Sequence, residues 1–431
     1  MDAKSACPDS VERPVVTELR LAAFKSHRGT TLPLGPLTLI AGASGTGKSS
    51  VLEAYGALAR LGNGDTLDEA FEAVAGGAAA CVPQHARPDA QGRRGFRLGC
   101  TVDGPAGPVH LDLAVQAEPE LRVVGERLTG AGQILLSTAL RDPGRRTVQA
   151  AWHTAGTVPV TRAPLPDDRL GTALLPLRVA GKTSGQRVVL AAAEQVVVAL
   201  RSAFACDPRP ERMRVPVEAR DGWLRGECDN LAAVLGRTST ECVIRHAALV
   251  RAARAGCVGP VEGLTVDRLD GGVVRAVLAR GEEAATPLER LGEGELRYLA
   301  LALVLLTGPG VLAVDPAAEV LPARQALTVL ADGFDRSLDR RQTRELLALA
   351  VRMCARGHIR LVGTVRDADC AAEVSRAVAG AEAVAGAEAD GAVGGGRAGG
   401  SGGAGGNGSA GGSGGAGGGT GVTVVDLGGD R

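Results

Sequence analysis

The sequence predicts an α/β fold built around a phosphate-binding loop, and three observations support this prediction. First, the apolar run Leu37–Ile40 leads into GASGTGKS, residues Gly42–Ser49, and then into an amphipathic segment that extends to Leu61. Second, the segments after this one alternate apolar and polar residues, as antiparallel strands do. Third, Val311–Val314 is a short continuous apolar run and Ile359–Val365 is a short, mostly apolar run, and both are typical of buried strands.

Composition limits the class of protein. The chain has 431 residues, of which 45% are hydrophobic, so it is long enough for two domains or for one large domain with insertions. Only 2% of the residues are aromatic, and 48 Lys and Arg balance 48 Asp and Glu. This composition gives no global electrostatic footprint for nucleic acid and argues against a base-stacking platform.

The cysteines and the apolar runs indicate a location. Nine Cys are dispersed without a CxxC pair, which is typical of reduced thiols in the cytosol. The N-terminal stretch MDAKSACPDSVERP lacks the apolar core of a signal peptide. No uncharged apolar run has the length of a membrane span. We therefore expect a cytoplasmic protein that does not contact a membrane.

The glycine-rich stretch after the first buried strand has the GxxxxGK[ST] spacing of a phosphate-binding loop. Its glycines let consecutive N–H groups point at phosphates, and the following helix adds the positive end of its dipole. We expect Lys48 to contact the β- and γ-phosphates and the Ser49 hydroxyl to bind Mg²⁺. The residues expected to bind the nucleotide are Gly42, Ala43, Ser44, Gly45, Thr46, Gly47, Lys48, Ser49 and Ser50. A Gly-rich turn that matches by chance is the alternative, because the chain has 62 Gly.

Further elements follow from the hydrophobic pattern. Strands are predicted over Val15–Ala22, Phe96–Val102, Val109–Val115, Leu121–Leu128, Val261–Leu269 and Val273–Ala279. Helices are predicted over Val188–Phe204, Leu224–Leu235, Glu241–Ala255, Leu296–Leu306, about 322–333 and about 340–356. Residues 130–180 carry little pattern.

Both ends of the chain depart from globular composition. Residues 1–13 are expected to form a disordered leader, and the Gly- and Ala-rich residues 380–421 a disordered linker. Residues 422–427, VTVVDL, are predicted to form a terminal strand that docks on the edge of the sheet. A frayed terminus is the alternative, because chain ends are disordered unless they are tied down.

Several segments together resemble a known family. The opening TELRLAAFKSHRGTTLPLGPLTLIAGASGTGKSSVLEA resembles the start of ABC-type ATPase heads of the SMC, RecF and OLD-like kind, also described as AAA-type ATPases. LGEGE, Leu291–Glu295, resembles their signature motif, and VLAVDPAAEVLP, residues 311–322, resembles their Walker B region. IRLVGTVRDAD, residues 359–369, resembles their last core strand. The resemblance covers residues 15–370 and is nearest to a compact RecF-like head.

The resemblance implies a P-loop NTPase fold of the α/β class, with a mixed central sheet, an antiparallel β subdomain and a helical lobe. The head would span residues 14–370. Its parts would be a phosphate-loop lobe over 14–130, a variable and helical region over 131–260, and a signature and Walker B lobe over 261–370. No coiled-coil arm and no fused nuclease are expected.

The resemblance also implies the ligands and the site residues. ATP and Mg²⁺ would bind between two copies of the chain in a head-to-head homodimer. Gly292 and Gly294 would face the γ-phosphate held by the partner, while Asp315 would be the catalytic carboxylate and, with Ser49, a metal ligand. DNA is a partner by family analogy only, as are roles in DNA repair, chromosome maintenance or phage defence.

The family's catalytic pattern is incomplete in this sequence. Asp315 follows four apolar residues, so Pro316 stands where the catalytic Glu is expected. In the alternative register Asp315 takes the place of that Glu and Val314 has replaced the Mg²⁺ carboxylate. The switch His is missing from Thr364-Val365-Arg366, and Gly292 replaces the Ser of the signature.

These losses fall on hydrolysis rather than on nucleotide binding. The hypothesis is an ATP-binding protein that hydrolyses ATP weakly or not at all. One alternative is a non-enzymatic pseudo-ATPase that regulates or scaffolds a partner, and another is that compensating groups restore slow turnover. A different P-loop enzyme such as a kinase is disfavoured by the order of LGEGE before Asp315.

Overall fold

The computed structural model describes residues 13–155, 159–308, 310–314, 325–366 and 422–427. The strands are β1 Val15–Phe24, β2 His27–Pro33, β3 Leu37–Ala41, β4 Arg94–Asp103, β5 Val109–Glu118, β6 Arg122–Gly130, β7 Gln133–Ala139, β8 Thr147–His153, β9 Val160–Pro166, β10 Ala203–Cys206, β11 Val217–Glu218, β12 Gly263–Arg268, β13 Val273–Arg280, β14 Glu283–Pro287, β15 Leu327–Ala331, β16 Ile359–Thr364 and β17 Val422–Asp426. The α-helices are α1 Lys48–Asn63, α2 Leu67–Phe71, α3 Gly171–Arg178, α4 Ser184–Arg201, α5 Pro210–Met213, α6 Leu231–Glu241, α7 Val243–Gly256, α8 Glu293–Leu306 and α9 Arg340–Cys354.

A five-stranded parallel sheet with the order β10-β15-β16-β3-β17 forms the centre of the fold. All five residues of β3 and all five of β15 are buried, as expected for strands covered on both faces. Because the strands are parallel, their carboxyl ends share one edge of the sheet. Ligands of open α/β sheets bind at that edge.

An eight-stranded antiparallel sheet, β2-β1-β4-β5-β6-β7-β8-β9, forms a second layer. In β5 the apolar residues Val109, Leu111 and Leu113 are buried and alternate with exposed polar residues, which is the pattern of a sheet with one solvated face. The sheet is larger than predicted, because β7, β8 and β9 lie within the segment 130–180, where the sequence shows little pattern.

Two apolar cores lie on opposite faces of the parallel sheet. Leu39 and Leu361 belong to the core that contains residues of α6, α7, α8 and α9. Ile40 and Val362 belong to the core that contains residues of α1, α4 and the antiparallel sheet. Alternate residues of each strand therefore serve different cores.

The α/β class, the antiparallel subdomain and the helical lobe are confirmed, and the five described strands of the central sheet are all parallel. The hairpins β4–β5 and β12–β13 and the helices α8 and α9 lie where they were predicted. The terminal strand is also present. β17 pairs in parallel with β3, with Val424 opposite Leu39, at the edge of the sheet.

Two predicted elements are wrong. Residues 311–314 do not form a strand, because only Leu312 makes a single bridge, to Leu224. The helix predicted over about 322–333 is replaced in its described part by β15. The reason is local: LTVLA is a short, mostly apolar run with the β-branched Thr328 and Val329, and it ends at Asp332-Gly333, which is typical of a buried strand followed by a turn.

The predicted helix Val188–Phe204 contains a third difference. α4 ends at Arg201, and the next residues form β10, which pairs in parallel with β15. Most of the leader, the linker 380–421 and Asp315 lie outside the described residues. No helix in the described part of the chain is long and apolar enough to cross a membrane.

Candidate nucleotide-binding site

The phosphate-binding loop connects β3 to α1 at the carboxyl edge of the parallel sheet. Gly47 caps α1 with a φ of 97°, a left-handed conformation that favours glycine. A Cβ at Gly47 would lie 2.6 Å from the Nε2 atom of His27. The same nitrogen lies 3.0 Å from the Gly47 carbonyl oxygen, so the buried His27 ring packs directly against the end of the loop.

Lys48, the first residue of α1, lies over the loop. Its Nζ atom donates hydrogen bonds to the carbonyl oxygens of Gly42 at 2.6 Å and Ala43 at 2.9 Å. Residues 43–45 are exposed at the tip of the loop. The ammonium group therefore lies where the backbone is open to a ligand, as an anion-binding lysine requires.

The described structure places one carboxylate directly against the loop, that of Asp332. The Ser49 hydroxyl donates to both carboxylate oxygens of Asp332, at 3.1 Å each. Asp332 follows β15, and Thr364, the last residue of β16, donates to its Oδ1 atom at 2.6 Å. A hydroxyl and a carboxylate meeting in this way are the oxygen ligands that Mg²⁺ takes beside phosphates.

The carboxylate beside Ser49 was missed by the sequence analysis, which chose Asp315. Asp315 itself lies outside the described residues, and the run before it is not a strand of the central sheet. The signal for Asp332 is present in the sequence as LTVLADG, a five-residue stretch with four apolar residues and one Thr, followed by Asp-Gly. It was overlooked because VLAVDP looks more like the family pattern.

Gly333, immediately after Asp332, is crowded by an arginine. Its φ is 59°, and a Cβ there would lie 2.7 Å from the Nε atom and 3.0 Å from the Cζ atom of Arg336. The Arg336 guanidinium thus fills the space of a side chain at position 333. Its Nη2 atom lies 3.7 Å from the Asp332 carboxylate, and its Nη1 atom donates to Asp207 Oδ1 at 3.3 Å.

Asp207 comes from the end of β10, and a buried arginine joins it to the rest of the site. Arg297, on α8, donates to Asp207 Oδ1 at 3.1 Å and to the Pro208 carbonyl oxygen at 2.6 Å. Its other Nη atom donates to the Gly333 carbonyl oxygen at 2.9 Å. Arg297 is only 2% exposed. It therefore ties α8 to the carboxyl ends of both β10 and β15.

The signature-like segment forms the N-terminus of α8. Gly292 is the N-cap, and its N–H donates to the Glu295 carboxylate at 3.3 Å. Gly294 packs against the Ser337 carbonyl group, in the loop that follows Asp332. Gly292 is exposed, and Gly294 is half-buried. These glycines link the helix end to the loop between β15 and α9.

The end of β16 contains no histidine. Val365 is buried, and its N–H donates to the Ile40 carbonyl oxygen at 2.9 Å. The Arg366 N–H donates to the Asp335 carboxylate at 2.9 Å. His358 lies before the other end of this strand, where burial and, to a smaller degree, the nearby Arg13 lower its pKa.

A cavity of about 790 Å³ runs along α1, from Ser49 at its first turn to Arg60. Ser49 and Asp332 line one part of it and Arg60 another, while residues from 205–209 and 225–229 form a wall. The volume lies within the range of small-molecule sites.

Solved structures with a similar course of chain are SMC head domains. One is an SMC head bound to the C-terminal winged-helix domain of ScpA, with 12% identity, a TM-score of 0.46, and coverage of 81% of this chain and 90% of that one. The SMC head domain from Thermotoga maritima has 13% identity, a TM-score of 0.39, and coverage of 84% and 92%. An SMC head with an extended coiled coil, bound to a C-terminal domain of ScpA from Pyrococcus furiosus, has 11% identity, a TM-score of 0.45, and coverage of 84% and 92%. No family model and no curated protein matches the chain.

The residues present fit a magnesium-bound nucleoside triphosphate. The loop offers backbone N–H groups and one ammonium to the phosphates, and α1 directs its N-terminus at them. The Ser49 hydroxyl and the Asp332 carboxylate offer oxygen ligands to the metal. The phosphate-binding loop follows β3 and Asp332 follows β15. Both strands belong to the parallel sheet, in which β16 lies between them.

Proposed function

We propose that this chain is an ATP-binding protein of the RecF/SMC-like ATPase kind that hydrolyses ATP weakly or not at all. The observation that carries the proposal is the contact between Ser49 and Asp332. It joins a GxxxxGK[ST] loop to a carboxylate at the end of a buried parallel strand. A hydroxyl and a carboxylate in contact beside such a loop support the binding of a Mg²⁺-nucleotide.

Each residue of the site has a defined task in this proposal. The backbone of residues 42–50 and the Lys48 ammonium hold the phosphates, while Ser49 and Asp332 hold the metal. Mg²⁺, when bound, neutralises charge on the β- and γ-phosphates. Thr364 and Arg297 keep Asp332 and its loop in place through hydrogen bonds to the carboxylate and to the Gly333 carbonyl group.

Slow hydrolysis follows from what stands beside Asp332. Hydrolysis needs a group that orients the attacking water. Position 333 has no side chain, and the guanidinium that fills its space cannot accept a proton. The sequence analysis expected one carboxylate to be missing next to Asp315. In the described residues a comparable gap lies next to Asp332.

Gly333 and Arg336 also favour the second candidate function, a pseudo-ATPase that regulates or scaffolds a partner. A site that binds ATP without turning it over has two states, nucleotide-bound and nucleotide-free, and a partner can distinguish them. The two candidates differ only in whether phosphate is released.

The assembly and the pathway belong to the same proposal. An ATP-dependent homodimer would bring the exposed end of α8, with Gly292 and Gly294, to the phosphate-binding loop of the partner. Several further expectations extend this proposal and rest on the family resemblance and on the dispersed cysteines. They are DNA as a partner, a role in repair or phage defence, the head boundaries 14–370 and a cytoplasmic location.

The test combines equilibrium binding of ATP with phosphate release, on the full chain and on Lys48→Ala. ATP binding that Lys48→Ala abolishes, together with no phosphate release above background, is the expected result. Rapid turnover that depends on Lys48 would show a fully active ATPase and would contradict the role given to Gly333, whereas slow turnover agrees with the proposal. Absence of ATP binding in the wild-type chain would refute the proposal altogether.

A further inference from the structure

Arg336 has an unusual place for a cation. Its guanidinium lies against Gly333, between the carboxylates of Asp207 and Asp332. One of these carboxylates also accepts from Ser49 of the phosphate-binding loop. Arg336 therefore lies beside Asp332, which is proposed to hold the metal and which contacts Ser49 of the phosphate-binding loop.

The two contacts of Arg336 differ in length. Its bond to Asp207 is 3.3 Å, whereas the Asp332 carboxylate is 3.7 Å away, which is beyond hydrogen-bond distance. Asp207 is held independently by Arg297 at 3.1 Å and by Arg209 at 3.3 Å. The Asp332 side of the guanidinium is the less tightly held, and the side chain is 42% exposed.

Binding of Mg²⁺ at Asp332 would change the charge that Arg336 faces. A divalent cation offsets the negative charge of that carboxylate and weakens its attraction for the guanidinium. One edge of the planar fork would then be available to an anion. Arginine forks bind phosphate oxygens with paired, charge-assisted hydrogen bonds.

We propose that Arg336 makes the site prefer a nucleoside triphosphate over a diphosphate, by contacting the terminal phosphate from the position that a side chain at 333 would occupy. This inference rests on the proposed function. It assigns to Arg336 the distinction between ATP and ADP. A catalytic carboxylate in the same place would promote hydrolysis.

The experiment measures the affinities of ATP·Mg²⁺ and ADP·Mg²⁺ by calorimetry on the full chain, on Arg336→Ala and on Arg336→Lys. Arg336→Ala is expected to weaken ATP binding about 10- to 100-fold, the range for a hydrogen bond to a charged group. ADP binding should change by less than about threefold. Arg336→Lys keeps the charge without the fork and should lie between wild type and the Ala variant.

Arg352→Ala is the control, because Arg352 is exposed in the last turn of α9 and has no contact with Asp207 or Asp332 among the described residues. It should leave the ATP-to-ADP affinity ratio unchanged. An equal loss for both nucleotides in Arg336→Ala, or a Lys variant no better than Ala, would overturn the inference and leave the proposed function standing. Absence of ATP binding in the wild-type chain would overturn both.

Discussion

The two halves of the candidate site are built in different ways. The loop half is one continuous stretch, Gly42–Ser49, whose residue types match the phosphate-binding motif at each required position. The carboxylate half is assembled from the ends of β10, β15 and β16 together with α8. In it, position 333 beside Asp332 has no side chain, and the Arg336 guanidinium fills the space that a side chain would take.

This difference separates binding from turnover. The loop half contains what phosphates need, namely backbone N–H groups and Lys48. The carboxylate half contains Asp332, the proposed metal ligand, but position 333 beside it has no side chain, and the Arg336 guanidinium fills that space. Changes in the loop half should therefore remove binding, and changes in the other half should alter what the bound nucleotide does.

The largest effect is expected for Lys48→Ala. Loss of the ammonium removes the charged contact to the phosphates, and ATP affinity should fall by at least about 100-fold in a calorimetric titration. The thermal midpoint of unfolding should stay close to wild type, because Lys48 is only partly buried. Lys182→Ala removes the same charge from an exposed position and should bind ATP like wild type. Full affinity in Lys48→Ala would break the comparison at once.

The second prediction tests which aspartate, Asp332 or Asp315, provides the carboxylate that binds Mg²⁺. Asp332→Asn should reduce the gain in ATP affinity that Mg²⁺ provides by about tenfold, because an amide is a weaker ligand than a carboxylate. Affinity measured in EDTA should not fall, because the variant removes a negative charge beside the triphosphate. Asp315→Asn is the matched control and should keep the full Mg²⁺ effect. The reverse outcome, with Asp315 needed and Asp332 dispensable, would restore the assignment made from the sequence.

The third prediction tests whether the carboxylate half depends on a buried link. Arg297→Met would leave the carbonyl groups of Pro208 and Gly333 without their donor. The free energy of unfolding should fall by about 2 kcal/mol, the cost of buried polar groups left unpaired. Urea denaturation monitored by circular dichroism measures this. A variant as stable as wild type would show that α8 and β15 are held together by apolar packing alone.

How much the sequence could predict follows the same division. The loop half was found because its signal is contiguous, and α8 and α9 were found because helical periodicity extends over several turns. In the carboxylate half β16 was also found, but β10 and β15 were not, because they are only four and five residues long and β10 follows closely after a helix. Arg336 reaches position 333 through the turn after β15, and although Asp332-Gly333 marks this turn in the sequence, it does not predict the contact.

Register within the antiparallel sheet was also only partly predictable. β4 and β5 alternate clearly, so their pairing was expected, and Leu98 indeed lies opposite Leu113. β6 is interrupted by a bulge near Val124, and its buried Glu126 breaks the apolar pattern. A carboxyl group in that place becomes understandable only from its partners, since it accepts hydrogen bonds from the backbone of Gly171 and Thr172.

The smallest predicted effect concerns the Glu126 carboxyl group, in the antiparallel sheet. It tests whether nucleotide binding depends only on the loop half and the carboxylate half of the site. Burial raises the pKa of Glu126 above its ordinary value of 4.5, against the hydrogen bonds from Thr172 and Gly171. A raised folded-state pKa means that the folded protein retains a proton that the unfolded chain has lost. This part of the stability is therefore present at low pH and declines as the pH rises above about 4.5.

Glu126→Gln cannot titrate, so its stability should depend less on pH between about 4.5 and 8 than that of the wild type. The absolute stability is not the criterion, since an amide nitrogen facing the Gly171 and Thr172 N–H groups adds a constant, pH-independent cost. Thermal midpoints across this pH range, with ATP affinity measured in parallel, provide the test. An unchanged ATP affinity with a flatter pH profile of stability would show that Glu126 serves the fold alone. A loss of ATP affinity would show that the antiparallel sheet also takes part in nucleotide binding, in addition to the two halves of the site.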